Sequence, residues 1–550
     1  MSTDRMVELR LLGRVSYDDA LALQHGFVEG DADYVLVLEH PHVYTLGRRA
    51  DPAHVLVDVE ARGAQRRVVD RGGDVTYHGP GQVVCYPVVD LDEDPGAGPR
   101  HVAALEDAVL AVLAPLLETT SCGGVGRLEG HPGVFVGVDT GRPAKLAAVG
   151  VRSARNAAGQ RRSTHGIALN VSCDLDRFAA IVPCGLRFEV TSLEALGVSS
   201  SIVEVARLLG EAVAASLRPG VGVRTAASMT GPAHGDRSAP IAVRRLVQAG
   251  VDPSASLAMS QRKPEWLRAP LKLTAGVLST SKAVRGARLV TVCEEAGCPN
   301  LSECWSEGTA TFMVNGERCT RNCGFCQVDT RRPLPLEVDE PERVAAAVAA
   351  LGLRHAVVTC VARDDLDDGG ASAIAATIGA IREANPTTGV EVLISDCQGD
   401  PASLQVIFDA EPEVLNHNLE TVARLQRAVR PSASYARSLA VLARAKAAGL
   451  VTKSGLMVGL GEQRSEVEVA LADLAAVGVS IVTIGQYLRP SARHLPVERY
   501  WTPEEFEDLG TWARGLGFAH VECSPLTRSS YHAGSSHAAA TRVPVQLSSR

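Results

Sequence analysis

The sequence has 550 residues and a formal net charge of −8, from 55 basic and 63 acidic side chains. A chain of this length exceeds a single hydrophobic core, so we expect more than one folding unit. Hydrophobic residues make up 46% and charged residues 21% of the chain, a balance typical of globular proteins that excludes disordered and fibrous classes. The acidic excess argues against a nucleic-acid binder.

The N-terminal residues and the apolar segments bear on the location of the protein. The first ten residues alternate charged and apolar side chains and lack the apolar core of a signal peptide. No apolar run reaches the roughly 18 to 20 residues that a membrane span requires. We therefore expect a cytoplasmic protein that does not act at a membrane. In that reducing compartment its 13 cysteines indicate metal binding or catalysis before disulfides.

The first part of the chain mixes short β-branched runs with helical stretches, which predicts an α+β domain. Strands are predicted at 34–39, 82–89 and 165–171, and helices at 101–118 and 202–217. A stretch rich in Ala, Ser, Gly and Pro follows and predicts a linker, interrupted by a helical patch at 241–249. The predicted organisation is a first domain at 1–223, a linker at 224–261 and a second domain at 262–550.

The second part alternates strand-like runs with Ala-rich helical segments, and this alternation indicates parallel strands. Six strands are predicted, at 311–314, 355–360, 390–394, 414–417, 453–458 and 480–485. The first of them leads directly into a cluster of cysteines. Because parallel β/α barrels place their active sites at the C-terminal ends of the strands, we expect this cluster to lie at the active site.

Four blocks in the first part could form an acyl-transfer site. A glycine-rich segment at 71–82 offers amide, hydroxyl and imidazole groups to a ligand. It is followed by Lys145, by Thr-His-Gly-Ile-Ala-Leu-Asn at 164–170 and by Cys184 in Pro-Cys-Gly-Leu. A lone cysteine is most often a small buried hydrophobe, and a lysine is most often a surface cation. If the two are neighbours, the ammonium group lowers the pKa of the thiol and prepares it to attack a thioester.

In this order the four blocks resemble the lipoyl (octanoyl) transferase family, over about residues 5–220. The resemblance implies that Cys184 carries the acyl group as a thioester and that Lys145 lowers its pKa. Related ligases activate a free acid with ATP and do not need this cysteine, so Cys184 and Lys145 together favour the transferase. The resemblance also implies a biotin/lipoate ligase-like fold and an acyl-binding set, namely Arg71, Gly72, Gly73, Asp74, Val75, Thr76, Tyr77, His78, Ala148, Val149, Gly150, Gly166, Ile167 and Ala168.

The cysteines at 319, 323 and 326 form a C-x-x-x-C-x-x-C set. Three thiolates at this spacing can hold three irons of a [4Fe-4S] cluster and leave the fourth iron open. A structural zinc site needs four ligands, usually in two separated pairs, so zinc is disfavoured. The spacing of Cys319, Cys323 and Cys326 resembles the radical SAM signature. This resemblance implies a partial (β/α)6 TIM-like barrel with cluster-bearing extensions, in which S-adenosylmethionine binds the open iron and is cleaved to a 5'-deoxyadenosyl radical.

A second triplet, Cys293, Cys298 and Cys304, could hold another cluster. Together with the Arg-Ser-Ser-Tyr motif at 528–531, it resembles lipoyl synthase over about residues 260–540. The resemblance implies an auxiliary [4Fe-4S] cluster that supplies sulfur and takes Ser530 as its fourth ligand; serine is a weak iron ligand beside cysteine, as a cluster that must be dismantled requires. Two departures from the family pattern are Ala362 and the stretch Ser395-Asp396-Cys397, which both follow predicted strands.

Taken together, the two resemblances imply a fused, bifunctional protein lipoylation enzyme. An octanoyltransferase domain would move octanoyl from octanoyl-acyl carrier protein through Cys184 to a lysine of a lipoyl domain. A lipoyl synthase domain would then insert sulfur at C6 and C8 of the octanoyl chain, with two [4Fe-4S] clusters and S-adenosylmethionine. The implied partners are lipoyl domains of 2-oxoacid dehydrogenase E2 subunits, the glycine-cleavage H protein, an electron donor of flavodoxin or ferredoxin type and an iron-sulfur carrier.

Two alternatives to this reading remain open at the level of sequence. The first is a lipoate ligase-like or degenerate N-terminal domain fused to an active lipoyl synthase. The second is a cluster-bearing binding or sensing protein, which would release no 5'-deoxyadenosine.

Overall fold

The structure is a computed structural model that describes residues 6–182, 188–228, 240–268, 274–295, 298, 300–306, 311–531 and 533–542. The chain divides near residue 231 into two compact units. Among the described residues, no helix combines the length and the apolar character that crossing a membrane would require.

The first unit is an α+β domain, as the sequence predicts. Its helices are α1 (Tyr17–Val28), α2 (Ala97–Leu117) and α3 (Ile202–Leu217). Its strands are β1 (Val7–Arg14), β2 (Asp33–Glu39), β3 (Val43–Leu46), β4 (Gln65–Val68), β5 (Val75–His78), β6 (Gln82–Val88), β7 (Val125–Leu128), β8 (His131–Val136), β9 (Ala144–Arg155), β10 (Arg161–Asn170), β11 (Glu189–Val190) and β12 (Val223–Ala227).

Most of these strands form one large sheet, in the order β12-β1-β2-β6-β10-β9-β8-β7, with β11 paired to β9. The strands β4, β3 and β5 form a separate small sheet. The helix α3 spans the predicted residues 202–217 and buries Val205, Leu209 and Val213 at a spacing of four residues, which is the apolar stripe of a helix that packs on a sheet. A Cβ atom at Gly210 would lie 2.6 Å from Leu9 Cδ1, so glycine permits α3 to approach β1 closely.

The second unit is an α/β domain with one long sheet. Its strands are β13 (Val290–Thr291), β14 (Thr311–Val314), β15 (His355–Cys360), β16 (Gly389–Leu393), β17 (Val414–Asn416), β18 (Thr452–Val458), β19 (Ile481–Gln486) and β20 (His520–Cys523). Its helices are α4 (Ile241–Gln248), α5 (Ala275–Gly286), α6 (Val292–Glu295), α7 (Leu301–Ser306), α8 (Glu340–Leu351), α9 (Ala371–Ala384), α10 (Pro401–Asp409), α11 (Gln426–Val429), α12 (Tyr435–Ala447), α13 (Arg464–Ala476), α14 (Pro503–Arg514) and α15 (Ala533–Arg542).

The strands of the second unit follow the chain order from β13 to β20 across the sheet. From β14 to β20 each neighbouring pair is parallel, while β13 is antiparallel to β14. All six predicted strands are present, and the parallel sheet is confirmed. The structure adds β20, whose sequence His-Val-Glu-Cys carries too few apolar residues to be recognised as a buried strand.

The segment 224–261, which the sequence predicts as a linker, contributes to both units. Residues 224–227 belong to β12, which pairs with β1 in parallel. The helix α4 packs against α11 in the second unit, and Leu246 is fully buried there. Further along, Leu257 N donates to Val497 O at 2.8 Å. A short amphipathic helix with one apolar face gains stability by this kind of docking. The domain limits drawn from the sequence stay predictions.

Candidate functional site

Three of the predicted acyl-binding stretches of the first unit meet in the structure. On the antiparallel strands β9 and β10, Gly150 lies opposite Gly166, and residues 148 and 149 lie opposite 168 and 167. The glycine-rich loop approaches the same place, because Gly72 N donates to Val151 O at 3.3 Å. A Cβ atom at Gly150 would lie 3.4 Å from Gly72 O and 3.3 Å from Arg71 Cδ. Small residues at this point therefore let the loop rest on the strand pair.

The glycine-rich loop is held by its own polar side chains. Arg71 is buried, and its Nη2 donates to Thr45 O at 2.7 Å and to Thr45 Oγ1 at 2.8 Å. The carboxylate of Asp74 accepts from Asp51 N at 3.1 Å and pairs with His54. The next four residues of the predicted set, 75–78, form the strand β5 and are buried. These bonds within the protein hold the glycine-rich loop in its conformation.

A buried cluster of histidines and tyrosines lies beside this loop, and sequence reasoning missed most of it. His40 bonds Val15 O at 2.8 Å and Tyr86 OH at 2.9 Å. The Tyr17 ring is 5.2 Å from the His40 ring and 6.5 Å from the His78 ring. Burial lowers the pKa of His40 to about 4, and burial together with the nearby His40 lowers that of His78 to about 3. The sequence feature that could have indicated this cluster is His40, which directly follows the apolar strand β2.

His165 occupies an unusual backbone conformation next to the predicted residues 166–168. Its φ is +60°, in the left-handed region that a residue with a side chain enters only when its surroundings hold it there. His165 Nε2 bonds Asp70 Oδ1 at 2.9 Å, and Asp70 also pairs with Arg152. The hydrogen bond with His165 is the main cause that lowers the pKa of Asp70 to about 2. The carboxylate therefore stays charged and orients the imidazole.

Lys145 is buried near the start of β9, opposite Phe135 of β8. Its Nζ donates to Pro132 O at 3.3 Å and lies 5.0 Å from the centre of the Phe135 ring. Cys184 lies outside the described residues, within 183–187. On one side of this gap Val182 N donates to His54 O at 2.8 Å. On the other side the Phe188 ring is 5.6 Å from the same Phe135 ring, so Phe188 and Lys145 share the contact with Phe135.

In the second unit the cysteines 319, 323 and 326 follow β14 at the C-terminal end of the sheet, and all three are partly buried. The loop is fixed by its backbone, because Gly324 N donates to Val429 O at 2.8 Å and His494 Nε2 donates to Cys326 O at 2.9 Å. Burial raises the pKa of Cys323 to about 11 and that of Cys326 to about 12. Metal binding needs thiolates, so it would release protons here.

Among the described residues, no three His, Cys, Asp or Glu side chains converge on the position of one metal ion. The ligands of a [4Fe-4S] cluster need not converge on one point, since each thiolate binds a different iron. Three partly buried thiols on one loop match that donor set, and they leave one iron without a protein ligand.

Arg321, inside the thiol loop, joins it to two other strand ends. Its Nε donates to Asp364 Oδ2 at 2.8 Å, and its Nη2 donates to Asp396 Oδ1 at 2.6 Å. Burial alone would raise the pKa of Asp396, but the charge of Arg321 and its hydrogen bond outweigh burial and hold it at about 2. No motif in the sequence predicts this role for Arg321. The second departure from the family pattern, 395–397, thus retains a carboxylate that orders the loop.

The residues that follow β14 and β17 carry buried polar atoms without partners. Among the described residues, Asn315 Oδ1, Asn418 Oδ1 and Thr421 Oγ1 have no hydrogen-bond partner. Such atoms are rare in folded proteins because each costs desolvation energy. Asn418 follows β17, at the same end of the sheet as the thiol loop. These atoms fit a polar cofactor such as S-adenosylmethionine. The other departure, Ala362, contributes only its backbone carbonyl, which accepts from Thr320 N at 3.0 Å.

The structure brings the Arg-Ser-Ser-Tyr motif beside the second cysteine triplet. Asn300 Nδ2 donates to Leu526 O at 2.8 Å, and Tyr531 OH donates to Glu303 Oε1 at 3.3 Å. The pKa of Cys298 is raised by burial, and the nearby charge of Arg528 opposes that rise. Ser530 is partly buried in the same segment. The side chains of Cys293 and Cys304, on α6 and α7, lie outside what the structure describes.

Known proteins match the two units separately. Residues 14–214 match the family described as Lipoyl protein ligase A/B catalytic domain, and residues 313–474 match the Radical SAM superfamily. A lipoyl synthase of Symbiobacterium thermophilum is 58% identical over 283 residues, which cover 51% of this chain and 88% of the relative. The chain belongs to the lipoyl synthase family. It is a fusion of a lipoyl protein ligase A/B catalytic domain with a lipoyl synthase radical SAM region.

Other relatives and structures are similar to one half of the chain. A lipoyl synthase of Mycobacterium tuberculosis is 55% identical over 274 residues, which cover 50% of this chain and 88% of the relative. A lipoate protein ligase structure from Thermoplasma acidophilum is 20% identical with a TM-score of 0.32, covering 40% of this chain and 87% of that one. Streptococcus suis SuiB bound to S-adenosylmethionine is 9% identical with a TM-score of 0.32, covering 39% of this chain and 50% of that one.

Proposed function

We propose that the protein is a bifunctional lipoylation enzyme that acts in the cytoplasm. The first unit transfers octanoyl from octanoyl-acyl carrier protein to a lysine of a lipoyl domain. The second unit then inserts two sulfur atoms, at C6 and C8 of the attached chain. Its protein substrates are the lipoyl domains of 2-oxoacid dehydrogenase E2 subunits and the H protein, and it takes electrons from a flavodoxin or ferredoxin and clusters from an iron-sulfur carrier.

The transferase assignment is supported by the position of Lys145 beside Phe135, the ring that Phe188, four residues after Cys184, also contacts. In the first step the Cys184 thiolate attacks the octanoyl thioester, so that a new carbon-sulfur bond forms and the carrier thiol leaves. In the second step the lysine amine of the lipoyl domain attacks the acyl-Cys184 thioester and releases the thiolate. The ammonium group of Lys145 stabilises the thiolate in both its attacking and its leaving role.

The acyl chain then lies along residues 148–150 and 166–168, where β9 and β10 are in register. These residues are apolar or glycine, so they can line a chain of methylene groups. Arg71 to His78 form the rim on the other side, with the polar side chains held by bonds within the protein. A thioester substrate needs no activation by ATP, because the thioester itself supplies the leaving group.

The sulfur-insertion assignment is carried by one observation: the segment that ends at Tyr531 is hydrogen-bonded to Asn300 and Glu303, which lie in the sequence between Cys298 and Cys304 of the second triplet. We assign Cys293, Cys298, Cys304 and Ser530 as ligands of the auxiliary cluster, and Cys319, Cys323 and Cys326 as ligands of the other cluster. When bound, the clusters and S-adenosylmethionine supply the radical that removes hydrogen from unactivated carbon and the sulfur that replaces it. Arg321 orders the thiol loop, and Asn418 offers an acceptor to the cofactor.

The test is the intact mass of a purified lipoyl domain after anaerobic incubation with the full chain, octanoyl-acyl carrier protein, S-adenosylmethionine and a reductant. We expect the lipoyl mass, and only the octanoyl mass when S-adenosylmethionine is omitted. The Cys184→Ser variant should leave the domain unmodified, and Cys173→Ser, which changes a buried thiol of the same unit, serves as its control. If Cys184→Ser retains modification that depends on ATP and free octanoate, the first unit is a ligase.

A further inference from the structure

Three arginines gather where α4 packs against α11. Arg244 and Arg245 lie on α4, and Arg427 lies on α11. The helix α4 is anchored by the fully buried Leu246. Among the described residues, none of the three guanidinium groups has a hydrogen-bonded or ion-paired partner, and Arg244 Nε is buried without one. We call Arg244, Arg245 and Arg427 the arginine cluster.

The absence of carboxylates from the arginine cluster contrasts with its surroundings. Arg424, three residues before Arg427, is paired with Glu466 at 2.7 Å and also donates to the carbonyl of Ala249 at the end of α4. The protein carries an excess of acidic residues, yet none within the described residues neutralises the cluster. The pKa of Arg245 is lowered by burial and then by the charges of Arg427 and Arg244. A bound anion would offset this repulsion.

The arginine cluster stands at the catalytic end of the second unit. The helix α11 belongs to the connection that follows β17, so it lies at the C-terminal end of the parallel sheet, where the thiol loop also lies. Val429, the last residue of α11, accepts a hydrogen bond from Gly324 in the thiol loop at 2.8 Å. Arg430, the next residue, donates to Asn418 O at 2.8 Å. Arg427 is therefore two positions before a residue that contacts the thiol loop directly.

We infer that the arginine cluster docks acidic side chains on the surface of the protein substrate whose acylated lysine enters the second site. The inference rests on the proposed function and deepens it by assigning the contact with that protein. Arg427 is exposed and the other two are partly exposed, so the positive charge is presented at a surface rather than enclosed in a pocket. Guanidinium groups suit this role because they bind carboxylates in a bidentate manner and are weakly hydrated.

The test measures binding of an octanoylated lipoyl domain to the full chain by fluorescence anisotropy, with no turnover. For the double variant Arg245→Glu/Arg427→Glu we expect Kd to rise at least about tenfold at low salt, with a much weaker dependence on salt than wild type. The matched control is Arg354→Glu, an exposed arginine before β15 at the opposite end of the sheet, whose Kd should stay within about twofold of wild type. Equal affinity of the double variant and wild type would overturn the inference.

A second measurement identifies the groups on the lipoyl domain that contact the arginine cluster. The acidic residues on the surface of the lipoyl domain are replaced in turn by the corresponding amides, and binding is measured for both versions of the chain. Because the two charge groups act on one contact, the replacement should weaken binding to wild type and change little for the double variant. Equal weakening of both would place the contact elsewhere. If inorganic phosphate displaces the domain at an ionic strength where chloride does not, the cluster is a small-anion site and the inference is wrong.

The same proteins separate the inference from the proposed function. A wild-type chain that binds the domain through the arginine cluster and never yields the lipoyl mass would overturn the proposed sulfur insertion while supporting docking. A wild-type chain that yields the lipoyl mass, with a double variant of unchanged Kd, would overturn docking alone.

Discussion

Arg321 and Asp396 form a buried ion pair in which Nη2 donates to Oδ1 at 2.6 Å. The first residue lies between two of the predicted cluster ligands, and the second lies in a stretch where the chain departs from the lipoyl synthase pattern. The pair therefore connects the thiol loop to the end of a different strand. Its partner Asp364 adds two further bonds to the same guanidinium. The loop is ordered by side chains that are not themselves ligands.

Replacing Asp396 with asparagine should loosen the thiol loop. The variant removes one of the two carboxylates that pair with the buried Arg321, which keeps Asp364 as a partner, so we expect a cost of about 1 to 3 kcal/mol. Hydrogen exchange of peptides that contain residues 319–326 should be faster in Asp396→Asn, and reconstitution should yield less iron. The control is Glu468→Gln, which breaks a partly exposed pair with Arg464 and should cost under about 1 kcal/mol. Unchanged exchange in Asp396→Asn would contradict the role given to this pair.

The stability difference between wild type and Asp396→Asn should depend on pH, and the lowered pKa of Asp396 fixes the direction of that dependence. The pKa of Asp396 is about 2 in the folded chain and about 3.9 in an unfolded one. The lowered value means that the charged carboxylate stabilises the fold above pH about 4, and that this contribution is lost as the pH falls towards 2. The stability difference between wild type and Asp396→Asn should therefore shrink across that window. A difference that is independent of pH would show that the carboxylate charge has no part in it.

Removing the charge of Lys145 should slow acylation of Cys184. Without a neighbouring cation the thiol should titrate near its ordinary pKa of about 8.5, so less thiolate is present at neutral pH. We expect Lys145→Met to lower the rate of acyl-enzyme formation at least about tenfold at pH 7, with partial recovery as the pH rises. The rate of alkylation at Cys184, read by peptide mass spectrometry, checks the pKa directly. An unchanged pH profile would remove Lys145 from this role.

Substitutions of Ser530 should affect cluster binding and sulfur insertion differently. Serine is a weak iron ligand and cysteine a strong one. We expect Ser530→Ala to bind less iron after anaerobic reconstitution, and Ser530→Cys to bind as much as wild type while forming less lipoyl product. The neighbouring Ser529→Ala is the matched control and should resemble wild type in both measurements. Wild-type product from Ser530→Cys would argue against loss of this ligand during the reaction.

The buried His40 should make the first unit sensitive to acid. Its pKa is lowered to about 4 in the fold, against about 6.5 when unfolded. Between these values the unfolded chain binds more protons, so stability rises with pH across the window and is lost as the pH falls from about 6.5 towards 4. We expect a slope near 1.4 kcal/mol per pH unit from this residue. In His40→Gln, hydrogen exchange in β2 peptides should report a shallower slope, whatever the absolute stability of the variant.

Local patterns were enough to predict six of the seven parallel strands of the second unit and, among the described residues, two of the three helices of the first unit. The spacing of four residues along α3 and the β/α alternation of the second half are short-range features, and each appears where the sequence places it. The seventh parallel strand, β20, was missed because half of its four residues are polar and charged. The thiol triplets and the Arg-Ser-Ser-Tyr motif were likewise recognisable, since a metal-binding loop requires particular residue types at close spacing.

The sequence by itself determined the two units of different architecture and the candidate groups: a proposed nucleophilic thiol, a cation and two proposed sets of cluster ligands. Only the tertiary structure decided which distant groups act together. Arg321 meets Asp396 across 75 positions, and Asn300 meets Leu526 across 226. Contacts of this kind depend on strand order and on how loops meet at one end of a sheet, and no local periodicity encodes them. The arginine cluster, which forms where α4 packs on α11, likewise depends on a contact between distant parts of the chain.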